Sequence, residues 1–242
     1  MSIVPSRFAS RSALALLAGL LAACSGSDRD PAPAAPAAPA VNTQLAKEIA
    51  MYEDLLKSQS YELAAPIGQD IVQRFPDSPE AAKVKQTLAE VQAKAEATTT
   101  RRRLERLWSY QTGTSESGGT QNTASIYSSG GAAEERIRLV LRRHSEWGLS
   151  VYLFGSGKGF VCRDVCKLPA TFDGQAAAIE AYLPETGEPA LFIKDEKGFI
   201  ARMSKTGVIT LEATLKDGGK RRFEFEVGGY DAAKFPELAK KK

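Results

Sequence analysis

A change of hydrophobic period near residue 107 constrains this chain more than any other feature. Before it, apolar residues recur at three- and four-residue steps: Leu45, Ile49, Tyr52, Leu55 and Leu56, then Leu63, Ile67, Ile71, Val72 and Phe75. That spacing lines one face of an α-helix. After it, apolar residues alternate with charged ones. Ile137, Leu139 and Leu141 alternate with Arg136, Arg138 and Arg142, and Phe223, Phe225 and Val227 with Arg222, Glu224 and Glu226. A helical period does not settle into a strand, nor a period of two into a helix. An α+β protein is therefore expected, helical over residues 42–106 and antiparallel β over 107–236.

Local signals place the helix ends. Ser58-Gln59-Ser60 breaks the first helix and Pro76 ends the second. Pro66 is expected within the first turn or so of that second helix, where a missing amide is tolerated. Asp77-Ser78-Pro79-Glu80 starts the third, with Ser78 as cap, Pro79 in the first helical position and Glu80 against the dipole. This helix carries Ala82, Val84, Leu88, Val91 and Ala95; it either continues through Thr98–Thr100 or restarts there into Arg101–Leu107. The stretch SYELAAPIGQDIVQRFPDSPEAAKVKQTL, Ser60–Leu88, resembles a tetratricopeptide repeat of the form found in envelope lipoproteins, over about one and a half repeats. The resemblance implies a helical hairpin of about three helices, acting either as a spacer or as a peptide-binding groove. Fewer than about three such repeats are rarely stable alone, so the β half or another protein must cover them.

In the β half, short alternating runs are separated by turn residues. Asp217-Gly218-Gly219 joins Val208–Leu215 to Lys220–Val227 as a hairpin, and Asp195–Lys197 is expected to join Leu191–Lys194 to Gly198–Met203 in the same way. Gly155–Gly159 is expected to be a hairpin turn. A phosphate loop would need Ser or Thr after its lysine and then a helix, whereas Gly159 follows Lys158. Many short strands point to an antiparallel sandwich-like domain or a curled sheet. Trp108, Ser125, Arg138, Phe160, Cys162, Phe172, Asp173, Phe223 and Phe225 together resemble a group of exported bacterial β domains; some of them are secretion-associated lipoproteins. This resemblance supports the β fold.

The N-terminus carries an address. Arg7 and Arg11 precede an unbroken apolar run, Ser12–Ala23, with the parts of a secretory signal and too short for a span of about 20 residues. Leu21-Ala22-Ala23-Cys24 resembles the lipobox of bacterial lipoproteins. The resemblance implies a signal over residues 1–23, cleavage before Cys24, and acyl chains on Cys24 that hold the chain on a membrane. Ser25, in place of an Asp, implies the outer membrane, facing the periplasm. Residues 24–41 then form a Pro/Ala tether, extended because Pro interrupts both helix and ladder, and residues 237–242 a basic tail.

Chemistry is harder to find. The formal charge is +3; Arg7 and Arg11 leave with the signal, taking the mature chain to +1 and giving no reason to expect a nucleic-acid partner. Cys162 and Cys166 in CRDVC are expected to form a structural disulfide pinning a turn. A redox or metal pair is the rival reading, disfavoured because the spacing is not CxxC and too few ligands surround it. His144, the single histidine, is expected at a solvated strand end, without a GxSxG serine. The acidic pairs Glu134-Glu135, Asp195-Glu196 and Glu185/Glu188 fall in turns. Arg101, Arg102 and Arg103, with Arg142 and Arg143, form basic clusters for contact with an anionic surface; Lys220-Arg221-Arg222 is a third. Trp108 and Trp147 are either core residues or sugar-stacking platforms. No catalytic set and no cofactor are implied. The leading expectation is a non-enzymatic, membrane-anchored envelope protein that binds a protein partner, accessory to assembly or secretion. The alternative is a binding module for peptidoglycan or another anionic glycan. An unrecognised hydrolase is third.

Overall fold

A computed structural model describes residues 41–115, 118–155 and 157–238. The expected signal, the expected lipidation site Cys24, the expected tether up to Ala40 and the last four residues of the expected basic tail lie outside the described residues.

The helical period is realised as α1 (Val41–Lys57), α2 (Tyr61–Arg74) and α3 (Pro79–Arg106). Leu45, Tyr52, Ala64, Ile71, Val84 and Val91 bury against one another. Leu63, expected on the apolar face, is 62% exposed, because the face of α2 in contact with its neighbours is centred on Ala64, Gly68 and Ile71. Gly68 matters through its size: a Cβ there would stand 2.7 Å from the Tyr52 ring. Pro66 lies past the first turn of α2, deeper than expected. Ser78 caps α3, its hydroxyl accepting from the Ala81 amide at 3.0 Å. Of the two expected courses, α3 takes the continuous one, 28 residues without a break at Thr98–Thr100.

α3 feeds directly into the β half. The strands are β1 (Trp108–Thr114), β2 (Thr120–Tyr127), β3 (Arg138–His144), β4 (Gly148–Phe154), β5 (Phe160–Val161), β6 (Val165–Phe172), β7 (Gln175–Tyr182), β8 (Ala190–Ile193), β9 (Val208–Leu215) and β10 (Gly219–Glu226). They form one ten-stranded sheet, ordered β1-β2-β3-β4-β8-β7-β6-β9-β10, with β5 also on β9. All pairings among the described residues are antiparallel. This is the curled sheet rather than two packed sheets: a bridge from Ser129 to Glu224 brings β10 round to the chain just beyond β2. Strand twist accumulates over many strands, and here it folds the apolar face inward as a half-barrel around Leu139, Leu153, Leu211, Phe160 and Phe225.

Two expected hairpins are corrected. Residues after Asp195 form a helix, α4 (Glu196–Met203), not a strand. The Asp195 carboxylate caps it by accepting from the Gly198 amide at 3.0 Å, and Phe199 and Met203, four apart, bury on one face. Gly155–Gly159 is not a hairpin turn either. β4 pairs with β3 and β8, whereas β5 crosses to β9. Gly159 has φ +83°, and a Cβ there would stand 2.9 Å from the Pro189 backbone, so only glycine lets the chain leave the sheet there.

β5 and β6 run along the same edge of β9 in the same direction. Val161 faces Thr214 and Ala170 faces Leu211, so residues 162–169 bulge out opposite two residues of β9. The Cys162 and Cys166 sulfurs, 2.13 Å apart, close the base of that bulge. The β6–β7 turn is tied to the start of β9 by Asp173, whose carboxylate accepts from the amides of Gly207 (3.0 Å) and Val208 (2.8 Å).

Candidate functional site

One face of the curled sheet is used up in the core, so any site on β1–β4 must use the other. Period two puts Arg138, Val140 and Arg142 of β3 on that outer face. Register then sets Thr123 and Ser150 beside Arg142, and Ser125 and Tyr152 beside Val140, with Gln111 of β1 next to Thr123. Apart from Ser150, these residues line a polar groove of about 550 Å³ together with Glu188 and with Trp147 of the β3–β4 turn.

Two guanidinium groups dominate its electrostatics. Arg142 donates from Nε to the Ser150 hydroxyl at 3.2 Å, and its guanidinium carbon lies 5.2 Å from the Trp147 ring centroid and 5.3 Å from that of Tyr152. Arg138 lies 5.5 Å from the Phe154 ring and 5.9 Å from that of Tyr127. Its buried Nε has no hydrogen-bond partner among the described residues. The arginine ion pairs among the described residues engage Arg74, Arg101, Arg102, Arg103, Arg143 and Arg221; Arg138 and Arg142 are in none of them. Burial pushes the Tyr152 hydroxyl above the usual tyrosine range, against the opposing pull of Arg142 and Arg138. It therefore stands between the two cations as a neutral hydroxyl.

Trp147 is held from beneath. His144 is 3% exposed, not the solvated strand end expected, because the indole covers it: the rings stack at 3.8 Å and 10°. The Glu146 amide donates to Nδ1 at 3.2 Å. Since an amide only donates, Nδ1 accepts, and Nε2 carries the proton toward the Gly118 carbonyl at 3.0 Å. His144 thus joins the β1–β2 turn to the β3–β4 turn and presents Trp147, 52% exposed, beside Arg142. Trp108, by contrast, is a core residue, 6% exposed.

The basic clusters divide. Arg143 points to the opposite face from Arg142, where it pairs with Glu237 at 3.1 Å and covers the Phe235 ring. In the other cluster Arg101 pairs with Glu105, Arg102 with Glu62 and Arg103 with Glu226. The Arg103 guanidinium holds the Glu226 carboxyl below its ordinary value, so these charges brace the structure. Of the five arginines singled out for anionic contact, Arg142 alone reaches the groove. Arg138 and Tyr152 were not singled out, although the alternation that faces Arg142 outward also faces Arg138.

Chemically, the groove combines cationic forks suited to carboxylate or phosphate oxygens, a row of hydroxyls and amides, and an exposed indole face. Comparison with protein-family models, curated proteins and solved structures found no match to this chain.

Proposed function

We propose that this chain is a membrane-tethered, non-enzymatic binding protein of the bacterial envelope, and that the β1–β4 groove takes an anionic glycan such as peptidoglycan. One observation carries the reading: Arg138 and Arg142 line the groove unpaired with any carboxylate of the described residues, next to the exposed indole of Trp147. Guanidinium groups engaged in no ion pair among the described residues suit the carboxylates of glycan and stem peptide, although Glu188 also lines the groove, and the indole suits the C–H face of a sugar ring. Lipid on Cys24 and the Pro/Ala tether would hold the groove within reach of the cell wall.

The tetratricopeptide-like hairpin serves this reading as a spacer. Its apolar residues are largely spent on contacts among α1, α2 and α3, and the hollow beside α2 and α3 is lined by Glu62, Ala95, Glu96, Thr99 and Thr100, with no large apolar side chain among them.

Retention of the full-length chain on isolated sacculi tests the site. Binding is expected at low salt and should weaken as salt rises. Arg142→Gln is expected to weaken it roughly ten- to a hundredfold, the loss of one charge-assisted contact, and Trp147→Ala several-fold. No retention of the parent chain at low salt, or full retention of Arg142→Gln, would overturn the reading. The anchor has its own test. Cys24→Ser is expected to move the protein from the membrane to the soluble fraction, since several acyl chains bind nearly permanently. An unmodified Cys24 in mass spectra of membrane-derived protein would remove it.

A further inference from the structure

The sheet is open along part of one internal strand. β7 pairs with β6 along its whole length, Val165↔Tyr182 to Phe172↔Gln175. On its other side it meets β8 only at Ala181 and Tyr182, and the Lys194 amide then donates to the Glu180 carbonyl at 2.9 Å. Beyond that point the chain turns away into α4. Among the described residues, no strand pairs with Gln175–Ile179 on this side. Since the Glu180 carbonyl faces away from β6, and alternate residues of an antiparallel strand face alternate neighbours, the amides and carbonyls of Ala176 and Ala178 also face the opening. Such a row is a template for an added strand.

α4 makes the opposite wall. Between it and β7 lies a cavity of about 580 Å³, with Phe172, Ile179, Ile193 and Phe199 as its apolar lining. Phe172, Ile193 and Phe199 are buried beneath it. The charged groups around the cavity are mostly committed: Glu180 pairs with Lys194 at 3.3 Å, and Asp195 caps α4. Arg202 is not. Its guanidinium lies 4.1 Å from the Phe172 ring centroid, exposed and in none of the ion pairs among the described residues.

We propose that this cleft binds an extended peptide, added antiparallel to β7, with an apolar side chain seated on Ile193 and Phe199 and its C-terminal carboxylate on Arg202. The direction follows from the geometry. A strand antiparallel to β7 ends near Gln175, beside Phe172 and Arg202, so its C-terminus meets the free cation. The eight residues of α4, at about 1.5 Å each, flank roughly three to four extended residues. The β half thus offers the expected protein partner a seat separate from the sugar groove, and the two are independent.

The test pans the full-length chain against a phage library of random peptides with free C-termini. Enriched peptides are then titrated as fluorescein conjugates by polarisation. Peptides ending in an apolar residue are expected. Amidating their C-terminus, or Arg202→Glu, should weaken binding about tenfold or more. Ala178→Pro removes one ladder donor at an open edge, where proline is tolerated, and should abolish binding; Arg202→Glu, on the surface, keeps the test readable if the proline disturbs the sheet. Bound peptide should slow hydrogen exchange at the Ala176 and Ala178 amides. Failure to enrich any peptide, binding unchanged in both variants or by amidation, or unaltered exchange at those amides would each overturn the proposal.

Discussion

Gly229→Ala is expected to destabilise the protein by about 3 kcal/mol or more, and to do so by parting the helices from the sheet. Gly229 follows β10 in a single helical turn, Val227–Gly229, on which the last turns of α3 rest. A Cβ at Gly229 would fall on the backbone carbonyl of Leu104 and crowd the Glu105 amide. Neither is the free end of a side chain, so relief requires α3 to move as a body. Its movement would break the two-pronged contact of Arg103 with Glu226, at 2.6 and 3.0 Å. It would also disturb Trp108, where α3 passes into β1 and whose ring lies 5.2 Å from that of Tyr230. Denaturant titration followed by tryptophan emission measures both effects: a lower midpoint and a red shift from Trp108. Gly113→Ala is the control. That site has nothing within 4 Å of a new Cβ, and its change should stay within about 0.5 kcal/mol. Equal midpoints for the two variants would refute the close helix–sheet contact.

Phe225→Ala should cost about 3–5 kcal/mol, the usual penalty for emptying a buried phenylalanine site. The ring is 0% exposed, opposite Ile209 on β9 and in the same cluster as Leu139, Leu211 and Phe160. Among the described residues, β10 has a neighbour along its length on one side only, apart from the single bridge at Glu224. Phe223 and Phe225 therefore fasten it to the core more than hydrogen bonds do. Phe225→Leu keeps most of the volume and should cost less than about 1.5 kcal/mol. Equilibrium unfolding of the three proteins decides the matter. An alanine penalty below about 1 kcal/mol would mean that the curled core is not closed at β10, since such a loss is typical of a surface site.

Much of the architecture was legible because its causes lie within a few residues of one another. The steps in α1 and α2, the Ser78-Pro79 start of α3, the β9–β10 hairpin and the alternation in β3 all follow from local periodicity and capping. α4 was missed for a local reason too: Asp195 suits a turn and a helix cap alike, and Phe199 with Met203 is too short a pattern to separate the two. The β1–β4 groove was half legible. Period two aligns Arg138 with Arg142 and sets Arg143 behind them, but the sequence does not say which charges already have partners.

By itself, then, the sequence determined the passage from helices to strands near residue 107, the inward faces of β3 and β10, and the turn that joins β9 to β10. The tertiary structure alone decided that β5 leaves β4 for β9, that β8 covers only the end of β7, and that His144 lies under Trp147. It also decided that Arg103 meets Glu226 while Arg138 and Arg142 meet no carboxylate among the described residues. The physical reason is range. Backbone preference and side-chain period act over a few residues, whereas curl, edge and counter-charge depend on which segments the fold brings side by side, at separations that reach 123 residues for Arg103 and Glu226.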